Sequence, residues 1–171
     1  IGPGVLKSDL RYFNSSDDGK NGHESAYFSS GNYSGVNSGR GKVDNNLYSG
    51  LFLYTVAGHT FGGGYQVSNG SSDFPWLNQG DGSSAYLTTD MQSAKFSRAG
   101  ERTWQARYSY DFAKVGVPGL TAGVVYLKGT DIDTVNSTRA EFTGQSEWER
   151  DITVAYVVPE GLFKNVGVAW N

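Results

Sequence analysis

The sequence predicts an all-β fold: an antiparallel, up-and-down transmembrane β-barrel, of which about seven strands are present. Three observations carry that expectation. Stretches of about ten residues alternate apolar with polar side chains, aromatic residues sit near the ends of those stretches, and the connections alternate short with long. The segment 103–112 shows the alternation best. Trp104, Ala106, Tyr108, Tyr110 and Phe112 point one way, and Thr103, Gln105, Arg107, Ser109 and Asp111 point the other. Strands of soluble sheets usually stop at about five or six residues. Strands of about nine to eleven fit a bilayer crossed at a tilt, with the apolar face outside and a polar lumen within.

The first strand is expected over 5–13, with Leu6, Leu10 and Tyr12 on one face and Lys7, Asp9 and Arg11 on the other. A long polar connection, 14–42, follows. The second strand, 44–56, has two fairly apolar faces (Leu47, Leu51, Leu53 against Tyr48, Phe52, Tyr54), so alternation does not orient it. Ala57-Gly58 reads as a tight hairpin turn into a third strand, 59–68. The next connection, 69–100, is long and polar but holds the apolar knot Phe74-Pro75-Trp76-Leu77, with a short strand or helical turn expected near 91–96. A fourth strand at 101–112, a turn through Gly116-Val117-Pro118-Gly119 and a fifth strand at 120–129 complete the next hairpin. A polar loop over 130–146 leads to a sixth strand, 147–158, and after Pro159-Glu160-Gly161 a seventh begins at 166–171. Short turns at one end and long loops at the other are the layout of a membrane barrel, and a Greek-key sandwich has no reason to sort them so. Seven strands do not close a bacterial barrel, which uses an even number, so the chain reads as one domain, 1–171, forming part of a larger barrel.

Composition excludes several classes of function. With 24 Gly, 11 Tyr and 4 Pro the chain has the mix that alternating strands and polar loops produce. No run approaches the roughly 18 apolar residues of a membrane helix. A net charge of -3 gives no drive toward nucleic acid, and the absence of cysteine rules out a disulfide framework and thiolate metal sites. Asp131-Ile-Asp133 lacks the glycine and closing glutamate of a calcium loop, and His23 and His59 lie far apart with no Ser/His/Asp arrangement. No catalytic centre, metal or cofactor is expected. Gly62-Gly63-Gly64, inside a strand, is expected to make room for a neighbouring side chain.

A channel requires a water-filled lumen lined by fixed charges. Strand parity assigns to that lining Lys7, Asp9 and Arg11 on the first strand, Gln105, Arg107 and Asp111 on the fourth, and Glu149, Asp151 and Thr153 on the sixth. Arginine suits the guidance of a carboxylate, because its planar fork meets both oxygens and stays charged at any relevant pH. The plainer role for these charges is to solvate a polar wall and pair with Asp9 and Asp111. Arg150 shares parity with Trp148 and is expected to face the lipid headgroups.

Several strings stand out: Leu6-Lys7-Ser8-Asp9-Leu10-Arg11-Tyr12-Phe13, Gly58-His59-Thr60-Phe61 with Gly64-Tyr65-Gln66, Asp73-Phe74-Pro75-Trp76-Leu77-Asn78, the run from Arg98 to Tyr108, Gly116-Val117-Pro118-Gly119-Leu120-Thr121, and Glu147-Trp148-Glu149-Arg150-Asp151. They resemble the substrate-specific outer-membrane porins of the OprD family of Pseudomonas-like bacteria. Together they cover nearly the whole chain in family order. The resemblance implies the C-terminal portion of an eighteen-stranded monomeric barrel in the bacterial outer membrane, in contact with lipid and lipopolysaccharide. It implies passive uptake of small solutes, typically carboxylate-bearing ones such as amino acids or aromatic acids. It also implies a ladder of basic residues down one lumen wall, for which Lys7, Arg11 and Arg107 are the matching positions, with Arg102 at the upper end. The family places the 69–100 loop over or into the pore, where Asp73, Asp81 and Asp90 would meet a substrate amine and Trp76 would line the pore or pin the loop to the rim. Two rivals are a sugar or chito-oligosaccharide porin lined by aromatics, and a secreted carbohydrate-binding β-sandwich using Trp76 or Trp148 as its platform. A sandwich would bury Trp104, Tyr108, Tyr110 and Phe112; a porin would expose them.

Overall fold

The computed structural model describes residues 3–16, 44–75, 87–135 and 141–171. Among these residues seven strands form one sheet in sequence order, each antiparallel to the next. They are β1 (Val5–Ser16), β2 (Asp44–Val56), β3 (His59–Gly70), β4 (Arg102–Asp111), β5 (Leu120–Val135), β6 (Glu141–Val157) and β7 (Gly167–Trp170). Among the described residues no helix is long and apolar enough to cross a membrane. Ala57 and Gly58 both take left-handed backbone angles, φ 51° and 85°, as a two-residue hairpin turn requires. The connection after β4, over 112–119, is more than a plain turn. Phe112 leaves the strand to open a short 3-10 helix, Phe112–Val115, where the Asp111 side chain caps the Ala113 N–H.

Two expectations are corrected. The 130–146 segment is not a loop throughout, because β5 runs on to Val135 and β6 begins at Glu141. Ile132, Val135 and Phe142 are good strand formers among polar neighbours, and the pairing there tolerates irregularity, with register shifts either side of Ile132. Asp131 absorbs one of them at φ 58°, a conformation Asp adopts more easily than most residues. At 16 and 17 residues, β5 and β6 exceed the roughly nine to eleven that a tilted bilayer crossing takes, so this hairpin projects beyond the sheet. The second correction concerns 91–96, which forms no helix or strand.

The register fixes the two faces. Asp9, Leu51, Gly64, Gln105, Leu127 and Glu149 are successive cross-strand partners in one row, and Lys7, Leu53, Gly62, Arg107, Val125 and Asp151 form the next. The opposite face carries Tyr12, Tyr48, Phe61, Trp104, Tyr108, Tyr126, Trp148 and Ile152. Its aromatics are open, with Trp148 64% and Trp104 43% exposed, whereas Gln105 on the polar face is 3% exposed. They also touch across strands, as Trp104–Tyr126 at 5.2 Å and Tyr12–Tyr48 at 5.0 Å. This arrangement inverts that of a soluble sheet.

A strap made of residues 87–101, together with 72–74, covers the polar face. It explains why β2 is apolar on both sides. Leu47 is buried against Phe74 and Leu87, with Phe13 at the edge of the group, so an apolar residue on the polar face lies under protein rather than in water. Backbone and side-chain bonds hold the strap down: Phe74 N–H to the Ser97 carbonyl (2.9 Å), Ala99 N–H to Asp73 Oδ1 (2.9 Å), and Gln66 Nε2 to the Phe96 carbonyl (2.6 Å). Phe96 is 1% exposed and left-handed at φ 51°, a conformation sustained by that burial and by Gln66.

Glu101, just before β4, is also buried. Oε2 accepts from Arg98 N–H (2.9 Å) and Oε1 from the Thr103 hydroxyl (3.3 Å). Burial pushes its carboxyl up to about 7 despite these bonds, with nearby Glu147 adding to the effect. The carboxyl fits because Gly129 has no side chain, since a Cβ there would lie 1.9 Å from Glu101 Oε1.

Two outcomes follow for the full-length protein. The folded carboxyl of Glu101 holds its proton more tightly than an unfolded one of ordinary value 4.5. The strap is therefore most stable below that value and loses stability as pH rises toward 7, by on the order of 3 kcal/mol. Amide exchange of 96–101, corrected for intrinsic rates, should be slower at acidic than at alkaline pH, and Glu101→Gln should remove the difference. Gly129→Ala drives a methyl into the carboxyl and should loosen the same amides by about 1–3 kcal/mol at every pH. Unchanged exchange in that variant would show that the strap does not depend on this contact.

Candidate functional site

All the charges that parity assigns to the lumen share the polar face, but they do not stand together. Lys7 and Arg107 occupy the same row three strands apart, roughly 14 Å at a strand spacing of about 4.8 Å. Arg11 is engaged locally: its Nε donates to Asp9 Oδ1 at 2.8 Å and its second terminal nitrogen to Asp9 Oδ2. Its fork is thus turned along its own strand. Asp111 lies at the end with the short connections and accepts the Ala113 N–H at 2.9 Å, so it serves the turn. Arg102 is a correction to the ladder. It shares parity with Trp104, lies on the aromatic face, and is exposed 3.8 Å from Asp131, a surface pair worth little.

The pore-loop candidates divide similarly. Asp73 is buried and turned to the Ala99 N–H, so it holds the strap's backbone rather than facing a solute. Trp76 and Asp81 lie outside the described residues. Asp90 lies in the strap, partly exposed, with its carboxyl pushed up by burial, an effect that nearby Lys95 opposes.

The charged residues of β4 and β6 meet the strap. Arg107 donates through Nε to Gln105 Oε1 (2.7 Å) and through a terminal nitrogen to the Thr88 carbonyl, while Gln105 Nε2 reaches the Thr88 hydroxyl (3.2 Å). Room for these two side chains comes from β3. A Cβ at Gly62 would lie 2.9 Å from Arg107 Cβ, and one at Gly64 would lie 2.9 Å from Gln105 Cγ. Gly62 and Gly64 thus make space for neighbours, as the sequence suggests, while Gly63 meets open space. On β6, Glu149 accepts the Ser93 N–H at Oε1 (2.8 Å) and the Ala94 N–H at Oε2 (2.7 Å), and the Gln92 N–H is directed at Asp151. Arg150 points to the aromatic face with Trp148, as its parity requires.

Beside the strap a recess of about 250 Å³ remains on the polar face. Arg107 and Asp151 stand in its lining with Thr60, Ser109 and Thr153, and Gly123 helps to keep it open. It thus holds a cation and an anion two strands apart in one row. The sequence gives no sign of the backbone groups that bind the strap to the wall: Thr88 as acceptor, Ser93 and Ala94 as donors. Every residue but proline has both kinds of group, and only the path of the chain selects which ones are used.

The chain matches the family described as outer membrane porin, OprD family, over residues 1–171. It is 34% identical over 149 residues to Porin D of Pseudomonas aeruginosa, a match covering 77% of this chain and 34% of that protein. It is 29% identical over 171 residues to the Porin-like protein GalP of Pseudomonas putida, covering 100% of this chain and 35% of the relative. Among solved structures, OccK8 (OprE) of Pseudomonas aeruginosa is 58% identical with a TM-score of 0.83, covering 99% of this chain and 42% of that one. OccK5 (OpdH) of the same species is 36% identical with a TM-score of 0.77, covering 99% and 40%. The chain thus spans about a third of the length of the curated relatives it matches. The match removes the secreted sandwich from contention, in keeping with the exposed aromatic face. The seven-stranded sheet with its aromatic outside and polar inside is a stretch of an up-and-down transmembrane barrel in the outer membrane, and the chain belongs to the OprD family of outer membrane porins.

Proposed function

We propose that the protein conducts passive, substrate-selective uptake of small carboxylate-bearing solutes, such as amino acids and small organic acids, through a charged lumen. The observation that carries this reading is the recess beside the strap, with Arg107 and Asp151 in its lining. Its volume, about 250 Å³, is below the roughly 300–1,000 Å³ of sites for drug-sized ligands, which suits a small solute. A carboxylate passing Arg107 exchanges part of its hydration shell for guanidinium N–H groups, and an ammonium passing Asp151 does the same for a carboxylate. Neither interaction needs to be tight, because a solute must also leave. The solute crosses chemically unchanged, and the work of the site is to lower the barrier to passage. The sugar reading draws less support. Among the described residues, Phe13, Phe74 and Phe96 pack in and beneath the strap, and Trp104, Tyr126 and Trp148 face outward.

The test is reversal potential and liposome swelling with the full-length protein, comparing acetate, benzoate and glycine with neutral sugars of similar size. The carboxylates should enter faster. Arg107→Ala should reduce that preference and move the reversal potential away from anions, while Arg107→Lys, which keeps the charge without the fork, should retain most of the bias. Equal passage of sugars and carboxylates, with a reversal potential indifferent to Arg107→Ala, would sink the carboxylate reading while leaving a porin.

A further inference from the structure

We infer that Glu149 is a positioning residue that sets the width of the passage by fixing how the strap lies across the wall, and is not itself a charge offered to the solute. The inference rests on the porin reading above.

The geometry has two attachments and a span between them. At one end Thr88 is held to β4 by Arg107 and Gln105. At the other, Glu149 on β6 accepts two consecutive backbone N–H groups, those of Ser93 and Ala94, one on each carboxylate oxygen. Between them the segment passes over β5, where Leu127 is fully buried. The spanning segment has no helix or strand of its own, so its path depends on the attachments.

Glu149 is suited to this role and poorly suited to meeting solute. It is 8% exposed, with both oxygens engaged by donors about 2.7–2.8 Å away. Two residues on, Asp151 projects from the same face, and adjacent like charges repel. The N–H groups of Gln92, Ser93 and Ala94 bring three donor dipoles against those two carboxylates. The anions and the strap therefore need each other: without the carboxylate the N–H groups lose their acceptors, and without the N–H groups the carboxylates face one another unscreened. Held this way, the strap leaves Gln92, Ser93 and Lys95 exposed. These side chains, not that of Glu149, are the ones a solute meets.

The test uses the full-length protein in planar bilayers and in liposomes swollen with sugars of increasing size, with Glu149→Gln, Glu149→Ala and Ala94→Pro compared. Glutamine replaces one acceptor by a donor that faces an N–H, alanine removes both acceptors, and proline removes the Ala94 donor while keeping the charge. A heat-modifiable band on gels identifies folded barrels. The expected result is the same in all three: larger and noisier single-channel conductance and an upward shift in the size of sugar admitted. Ala94→Pro should add less in the Glu149→Ala background than in the wild type, because both act on one bond. The inference is overturned if any folded variant of the three keeps the wild-type conductance and sugar cut-off. A reversal-potential shift without a change in size would identify Glu149 as a lumen charge instead. A folded wild type that forms no channels would defeat the porin reading itself and is read separately.

Discussion

The hydrogen-bond register between neighbouring strands is the constraint on which the rest depends. A strand alternates its side chains with period two, so a slip of one residue would exchange the aromatic and polar faces. The rows described above show the register holding across β1 to β6, from Asp9 to Glu149 and from Lys7 to Asp151. In a bilayer the backbone groups of the sheet have no water to fall back on, so continuous pairing is also the condition for crossing at all. It is relaxed only past Gly129, where β5 and β6 run beyond the length that a crossing takes.

On that frame the polar face divides its charges by use. Arg11 and Asp9 neutralise one another, Asp111 caps a turn, and Asp73 and Glu149 hold backbone N–H groups of the strap. Arg107 serves two purposes, holding Thr88 and standing in the recess with Asp151. A lumen wall rich in charge is therefore not equally rich in charge available to a solute. Counting charged residues that point inward overstates the field a solute meets, because paired charges cancel and buried ones are already solvated by protein donors.

Much of this was legible in the sequence. Alternation alone separates Trp104 from Gln105 and Trp148 from Glu149, and so gives the faces of β4 and β6. It also gives Arg102 a place beside Trp104, and the ladder reading fails there because it follows likeness of residue type in preference to parity. β2 could not be oriented because alternation assumes that one face meets lipid and the other water. Leu47 and Leu51 meet neither, since the polar face is covered there. The 130–146 segment misleads for a related reason: an arm projecting past the bilayer has no lipid-facing side to keep apolar, so strand and loop compositions converge. The strap's attachments leave the faintest trace, since on the strap's side they are mostly peptide N–H and C=O groups. Their partners on the wall, Gln66, Gln105, Arg107 and Glu149, are visible in the sequence, but parity gives only the face they point to and not the groups they hold.

The attachment through peptide groups has a consequence for divergence among related pores. Ser93 and Ala94 are held by their N–H groups, which every amino acid but proline supplies. Exchanges of side chain at these positions alter what the opening presents while leaving the fastening in place. The fastening and the side chains carried beside it can then change independently, since only the first is bound by the demands of folding.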